Sequence, residues 1–189
     1  RRWGWLLGIT LIGALGAKAI ALYVGAALGV YAIAAPSTVP VGGALGGALL
    51  LALASTLLPS IAEDIVTRGV WYRVGPRSWT GARFVIASSL IYVLNHIYRL
   101  ANGPTEWIML FAFGLAYATA LVRTRTLWAA IGLHWGWNLS SALLPLVADV
   151  TVLRADISPY VSAGAHLVML GAVVVLTRRS EVHAEPAAA

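Results

Sequence analysis

The 189-residue sequence contains no cysteine. This absence excludes disulfide bonds, thiolate metal sites and a cysteine nucleophile, so a metal ion would need histidine or carboxylate ligands. Charged residues are also scarce, at 11% of the sequence, whereas an average soluble domain has about 25%. So low a content of charge excludes an ordinary soluble domain with a polar surface.

Apolar residues dominate instead. They make up 60% of the sequence, the mean hydropathy is +0.83, and there are 19 glycines and 8 tryptophans. A soluble core of this size cannot bury so much apolar surface, and glycine is frequent in membrane helices while tryptophan collects at bilayer interfaces. The composition therefore predicts an all-α integral membrane protein, in which about 20 residues per span allow about six transmembrane helices in a bundle.

Six apolar runs mark the predicted spans, at residues 3–35, 41–72, 81–98, 107–122, 127–147 and 159–177. As a single helix, the first run would be about 50 Å long, compared with a hydrocarbon core of about 30 Å. We therefore expect residues 1–35 to form a long helix that is tilted, broken or partly outside the bilayer, or alternatively a re-entrant pair. Residues 41–177 form the predicted membrane core, and the polar segment 178–189 is predicted to be a disordered tail.

The basic residues act as topology signals. The formal net charge is +6, but these residues are scattered between apolar runs and form no patch typical of nucleic-acid binding. With six spans, nine arginines fall on one side of the membrane and two on the other, which predicts cytoplasmic termini. Twelve arginines to one lysine favour a prokaryotic cell membrane. The nine are Arg1, Arg2, Arg73, Arg77, Arg83, Arg123, Arg125, Arg178 and Arg179, and the two are Arg99 and Arg154.

Polar residues inside the predicted spans are candidates for function, because an intramembrane charge costs about 2.5–3.5 kcal/mol on insertion scales. Asp64 and Arg68 are one helical turn apart and can pair. Glu63 then remains as an unpaired carboxylate suited to a general base, unless the group is only an ion cluster that holds helices together. Lys18 and His166 have no partners at helical spacing and are predicted to be structural or snorkelling residues.

Two histidine segments follow on later runs. Tyr92 and His96 share one helix face, and His134 and Asn138 share another. The depth of a residue in the membrane follows from its distance along the run to the nearest arginine of the nine-arginine side, at about 1.5 Å per residue. The two histidines, Asn138 and Glu63 then lie in a slab about 6 Å thick near mid-membrane. These side chains can therefore converge.

These segments resemble a known family, the CPBP (CAAX protease/bacteriocin-processing, Abi) intramembrane proteases, which are relatives of the type II CAAX prenyl endopeptidase. The family pattern has an E-E-x-x-x-R, an F-x-x-x-H and an H-x-x-x-N segment, in this order on separate membrane helices. The corresponding residues here are 63–68, 92–96 and 134–138. Two positions depart from the pattern, since Asp64 replaces the second glutamate and Tyr92 replaces the phenylalanine.

The resemblance implies peptide hydrolysis by an activated water. Glu63 with His96 would activate the water, and His134 with Asn138 would donate hydrogen bonds to the oxyanion. The implied supporting residues are Asp64, Arg68 and Tyr92. Family members are often described as metalloproteases, and zinc ligands would then be Glu63, His96 and His134. The sequence has no His-Glu-x-x-His zinc helix, and we favour a mechanism without metal or another cofactor.

The sequence therefore predicts a CAAX prenyl protease-like intramembrane endopeptidase that contacts membrane lipid and cleaves membrane-associated peptides or proteins. Its site is expected to open to the cytoplasmic side or laterally to lipid. A non-catalytic immunity or scaffold protein of the same fold, with a dry and fully paired cluster, is one alternative, and a proton-coupled transporter is another. If Glu63 and His96 activate one water, their nearest side-chain atoms should be about 4–6 Å apart.

Overall fold

The structure is a computed structural model that describes residues 2–182, with side chains placed from residue 3 to residue 177. It is a bundle of helices with one small sheet. The α-helices are α1 (Arg2–Ala27), α2 (Gly42–Asp64), α3 (Val70–Val74), α4 (Ala82–Asn95), α5 (Pro104–Thr124), α6 (Leu127–Leu143) and α7 (Ser158–Val182). A π-helical turn (Ile65–Gly69) joins α2 to α3, and 3₁₀ turns (Ile97–Asn102 and Leu144–Leu146) follow α4 and α6.

The prediction of an all-α integral membrane bundle is confirmed. Four helical stretches of the described chain are long and apolar enough to cross a membrane: Trp3–Ala27, Gly42–Val74, Pro104–Thr124 and Ser158–Thr177. The other two predicted spans correspond to α4 and α6, which have 14 and 17 residues. At about 1.5 Å per residue, both fall short of a hydrocarbon core about 30 Å thick. These two short helices carry the histidine segments.

The first apolar run forms one helix and one strand. α1 ends at Ala27, and the chain then enters strand β1 (Tyr31–Ala34), which pairs antiparallel with β2 (Asp149–Val152) beyond α6. The alternative of a re-entrant pair in residues 1–35 is therefore wrong. The sheet was not predicted, because two four-residue strands are too short to show a clear alternating pattern within apolar sequence.

Helix ends differ from the predicted run ends by a few residues. α6 ends at Leu143, four residues before the end of its run, because the 3₁₀ turn with Pro145 follows. α7 instead continues to Val182, so residues 178–182 are helical rather than part of a disordered tail. The remainder of the predicted tail lies outside the described residues.

Two glycines of α6 bring this helix close to α1. A Cβ atom on Gly132 would lie 2.6 Å from the backbone oxygen of Leu7, and one on Gly136 would lie 2.8 Å from the Cβ of Ala14. Glycines four residues apart allow such close backbone approach, which is a common way for membrane helices to associate. Since residues 7–14 pack in order along residues 132–136, the two helices run parallel and hold His134 between the two glycines.

The two ends of the bundle carry different residues. At the arginine-rich end, two tryptophan pairs pack together. The ring centres of Trp3 and Trp128 are 5.2 Å apart, and those of Trp71 and Trp79 are 6.0 Å apart. These pairs lie at helix ends, where interface anchors were expected. The arginine-poor end contains the small sheet and the 3₁₀ turn after α4, which carries Arg99.

Candidate active site

The carboxylate segment lies at the end of α2 and in the π-helical turn that follows. Such turns leave backbone groups without their usual helical partners and are frequent at functional sites. Here the Thr67 hydroxyl donates to the backbone oxygen of Glu63 at 2.6 Å. The Ser88 hydroxyl of α4 donates to the backbone oxygen of Thr67 at 3.0 Å. These bonds fix the segment against α4.

Asp64 and Arg68 form a completely buried ion pair. The Arg68 guanidinium also lies 5.0 Å from the ring centre of Tyr92 and 5.2 Å from that of Tyr117. Asp64 has a second partner in His134, whose Nδ1 lies 3.2 Å from Asp64 Oδ1. Asp64 is therefore turned toward Arg68 and His134, and it does not line the cavity described below.

His96 is the residue that terminates α4. Its Nδ1 lies 2.9 Å from the backbone oxygen of Tyr92, a carbonyl that has lost its helical partner because the helix ends. A carbonyl only accepts, so Nδ1 carries the proton, and in the neutral ring Nε2 is an acceptor. The bond also fixes the ring orientation, with the centre of the imidazole 4.6 Å from that of the Tyr92 ring and the two planes tilted by 49°.

His134 and Asn138 project from one face of α6, as their spacing predicts. Nδ1 of His134 donates to Asp64, which leaves Nε2 of the neutral ring as an acceptor. The Tyr92 hydroxyl lies 3.5 Å from that Nε2. Asn138 uses one amide hydrogen to donate to Ser60 Oγ at 3.1 Å, so its second amide hydrogen is available to another acceptor.

Glu63 joins the two histidines. Its Oε2 lies 3.5 Å from Nε2 of His96 and 3.8 Å from Nε2 of His134. The first distance is shorter than the predicted 4–6 Å, so the carboxylate and the imidazole are nearly in contact. Three acceptor atoms thus converge on one point, and such a cluster requires a hydrogen-bond donor or a cation at its centre.

The three side chains line a cavity of about 370 Å³, together with Tyr92, Asn138 and other residues. The Glu63 side chain is 27% exposed, but its Oε2 atom is buried and has no hydrogen-bond partner among the described residues. The sequence-predicted site residues are therefore brought together in two layers. The cavity-lining layer holds Glu63, His96, His134 and Asn138, and the layer beneath it holds Asp64 and Arg68.

The cavity opens at the arginine-poor end of the bundle. Its lining includes Tyr98 and Arg99 of the 3₁₀ turn after α4, and Tyr98 is 74% exposed. The rim of the cavity lies at this end because α4 is short and ends at His96, so the turn that follows forms the rim. The expected opening to the cytoplasmic side or laterally to lipid stays a prediction.

A second buried group supports His134 and was not predicted from the sequence. The Tyr117 ring stacks on the His134 ring, with centres 4.8 Å apart and planes 21° apart. The hydroxyl of Tyr117 lies 2.9 Å from Nε2 of His166, whose Nδ1 donates to the backbone oxygen of Ser162 at 2.8 Å. His166 is thus structural, as expected, although its partner is far away in sequence.

Lys18 and the two tryptophans of the third motif also have defined positions. Lys18 lines the cavity, so it does not extend along the helix to the membrane surface as a snorkelling side chain would. Its Nζ lies 4.3 Å from the ring centre of Trp137. Trp135 instead points to α2 and donates from Nε1 to Thr56 Oγ1 at 3.1 Å.

A catalytic zinc ion usually has three protein ligands and one open position. Within the described residues, no group of three or more histidine or carboxylate side chains has a geometry that could hold a metal ion. Glu63 Oε2 nevertheless lies 3.5 Å from Nε2 of His96 and 3.8 Å from Nε2 of His134. The chemistry below therefore uses only the side chains of this chain, and the chelator experiment in the Discussion tests for a metal.

One comparison with known proteins assigns a family. The family model for type II CAAX prenyl endopeptidase Rce1-like proteins matches residues 45–140, which is just over half of the chain. The chain belongs to this family. The Rce1-like match contains all three motifs, whereas Lys18 and His166 lie outside it. No curated protein and no solved structure matches the chain.

Proposed function

We propose that this Rce1-like protein is an intramembrane endopeptidase that hydrolyses membrane-associated peptides or proteins. Family membership supports protease activity of the CAAX-protease type. The observation that carries the proposal is the cavity that Glu63, His96 and His134 line, in which Glu63 Oε2 has no hydrogen-bond partner among the described residues. A buried oxygen of a purely structural ion cluster is expected to be hydrogen-bonded, whereas this oxygen can accept from a bound water.

The converging acceptors suit a water nucleophile. A water bound between Glu63 and His96 donates both of its hydrogens, which turns an oxygen lone pair toward the substrate. One O–H bond breaks as the new C–O bond forms, and Glu63 takes the proton. That proton then passes to the amide nitrogen as the C–N bond breaks, so the products are a carboxyl group and an amine.

The oxyanion of the tetrahedral intermediate needs donors on the other side of the substrate carbonyl. The second amide hydrogen of Asn138 is one donor. His134 becomes another when its Nε2 takes up a proton from solvent before the substrate is attacked, and Asp64, which accepts from Nδ1, then offsets part of the imidazolium charge. This proton returns to solvent after the products leave. The stacked Tyr117 ring and the Asp64 carboxylate both hold His134 in place for this step.

Replacement of Glu63 by glutamine tests the proposal. Glutamine keeps the shape but cannot accept the proton, so we expect the cleavage rate to fall by about 10²–10⁴, the usual contribution of a general base. The purified protein in nanodiscs would be incubated with a pool of internally quenched apolar peptides, and the products identified by mass spectrometry. Asp156→Asn, an exposed carboxylate outside the cavity, is the matched control. Cleavage by Glu63→Gln at the wild-type rate would contradict the proposal.

A further inference from the structure

Lys18 is the sole lysine in the sequence and lies in the middle of a helix that can cross the membrane. A cation at such a position is costly and by default indicates function. Its side chain faces the cavity of the candidate active site. The family match begins at residue 45, so nothing about the matched motifs accounts for this lysine.

Charge pairing separates Lys18 from the other cations near the site. Arg68 pairs with Asp64, and Arg99 on the cavity rim pairs with Glu106. In contrast, no carboxylate of the described residues forms an ion pair with Lys18. Its Nζ instead lies 4.3 Å from the ring centre of Trp137. Aromatic contact compensates an ammonium group only in part, because the three N–H donors still need acceptors.

The neighbours of Lys18 in the cavity suit an anion. Asn138 has a free amide hydrogen, and the hydroxyl of Ser162 also lines the cavity. The register of α1 on α6 places Lys18 level with residue 140, because Gly132 and Gly136 pack beside Thr10 and Ala14. At about 1.5 Å per residue, Lys18 therefore lies about 9 Å along the axis from His134, on the side of the cavity mouth.

We propose that Lys18 forms an anion-binding subsite that holds a carboxylate of the peptide substrate while another part of the same peptide reaches Glu63. This inference rests on the proposed function for the identity of the ligand. A substrate carboxylate supplies the missing counter-charge, and the Trp137 ring fixes the ammonium group that receives it. The subsite thus makes the cavity selective for acidic peptides.

Peptide binding without turnover tests the subsite. The probes are pools of apolar decapeptides that carry an uncharged fluorophore and an acetylated N-terminus. One pair differs as C-terminal acid or carboxamide, and a second pair, with C-terminal carboxamide, differs as internal aspartate or asparagine. Binding to Glu63→Gln protein in phosphatidylcholine nanodiscs is followed by fluorescence anisotropy. We expect at least one carboxylate form to bind about tenfold more tightly than its neutral twin, as for a hydrogen bond between charged groups. The two comparisons distinguish a terminal from a side-chain carboxylate.

The variants decide whether Lys18 is responsible. Lys18→Met should abolish the preference, Lys18→Arg should keep most of it, and Arg154→Met should keep all of it, because Arg154 is exposed at the same end but outside the cavity. A preference that survives Lys18→Met in folded protein overturns the proposal. Equal binding of the acidic and neutral probes, or no binding of any probe, also overturns it.

Acylation of the single lysine identifies the ligand independently. An amine-reactive ester is applied, and mass spectrometry of the fragment containing residue 18 gives the rate. Protection by the carboxylate peptide supports the subsite, whereas protection by phosphatidylglycerol and not by peptide assigns it to a lipid headgroup and overturns the proposal. If the wild-type protein cleaves nothing but the peptide preference depends on Lys18, the protease proposal fails and the anion subsite stands.

Discussion

The buried pair of Asp64 and Arg68 should dominate the stability of the site. Both side chains are completely buried, and Asp64 also accepts from His134. Replacement of Asp64 by leucine leaves a buried guanidinium without a counter-charge and an imidazole N–H without an acceptor. Removal of one partner of a buried pair costs about 3–5 kcal/mol, and we expect the upper end of this range for Asp64→Leu. Asp64→Asn keeps one acceptor oxygen and should lie at the lower end.

The double variant Asp64→Leu/Arg68→Met separates the charge effect from loss of packing. Two apolar side chains that replace a buried ion pair are often neutral for stability. The unsatisfied N–H of His134 remains, so we expect a loss of only about 1–3 kcal/mol. The double variant should thus be more stable than Asp64→Leu, and the coupling energy between the two sites should be at least about 3 kcal/mol.

The assay is equilibrium unfolding in mixed micelles with increasing SDS fraction, followed by the fluorescence of the eight tryptophans. The matched control is the exposed pair of Arg154 and Asp156, whose charged atoms are 3.7 Å apart. Neutralising this pair should change the free energy of unfolding by less than about 1 kcal/mol. If the losses of the two single variants at Asp64 and Arg68 simply add in the double variant, the reasoning about the buried pair is refuted.

Two further predictions concern the metal question and the helix contact. Peptide cleavage should persist in EDTA or 1,10-phenanthroline, and elemental analysis should find less than one zinc per chain; loss of activity that zinc restores would contradict the metal-free mechanism. Gly136→Ala should cost about 1–3 kcal/mol, because its Cβ would lie 2.8 Å from that of Ala14. The control Gly164→Ala has no neighbour within 4 Å, so unfolding in SDS should show no loss there; equal losses in the two variants would disprove the close contact.

The composition and the apolar runs were sufficient to predict the membrane bundle, because a bilayer restricts the chain to long apolar helices. The positions at which the membrane helices end were less predictable. Residues 28–35 are as apolar as the helix before them, yet the chain turns after Ala27 and forms β1. That outcome depends on the partner strand Asp149–Val152, which lies more than a hundred residues away. Local sequence carries no signal for such a pairing.

The grouping of Glu63 with the two histidines could be predicted, since each residue is a costly polar group at a similar depth on a different helix. The separation of Glu63 from the Asp64–Arg68 pair also followed from the sequence, because Asp64 and Arg68 are one helical turn apart. The π-helical turn after Asp64 and the Ser88 hydroxyl of α4 that bonds to it could not be predicted, since both depend on packing between helices. Catalytic roles within the cavity-lining layer stay predictions.

Lys18 and His166 show why a single polar residue is hard to interpret from sequence. Each lacks a partner one helical turn away, and this lack favoured a structural or snorkelling role for both. In the structure His166 bonds to Tyr117, whereas Lys18 contacts an aromatic ring and a cavity and forms no ion pair with a carboxylate in the described part of the chain. The informative property is therefore whether the bundle satisfies the polar group. His166 is satisfied and supports His134 through Tyr117, and Lys18 is not, which is why a ligand is assigned to Lys18 alone.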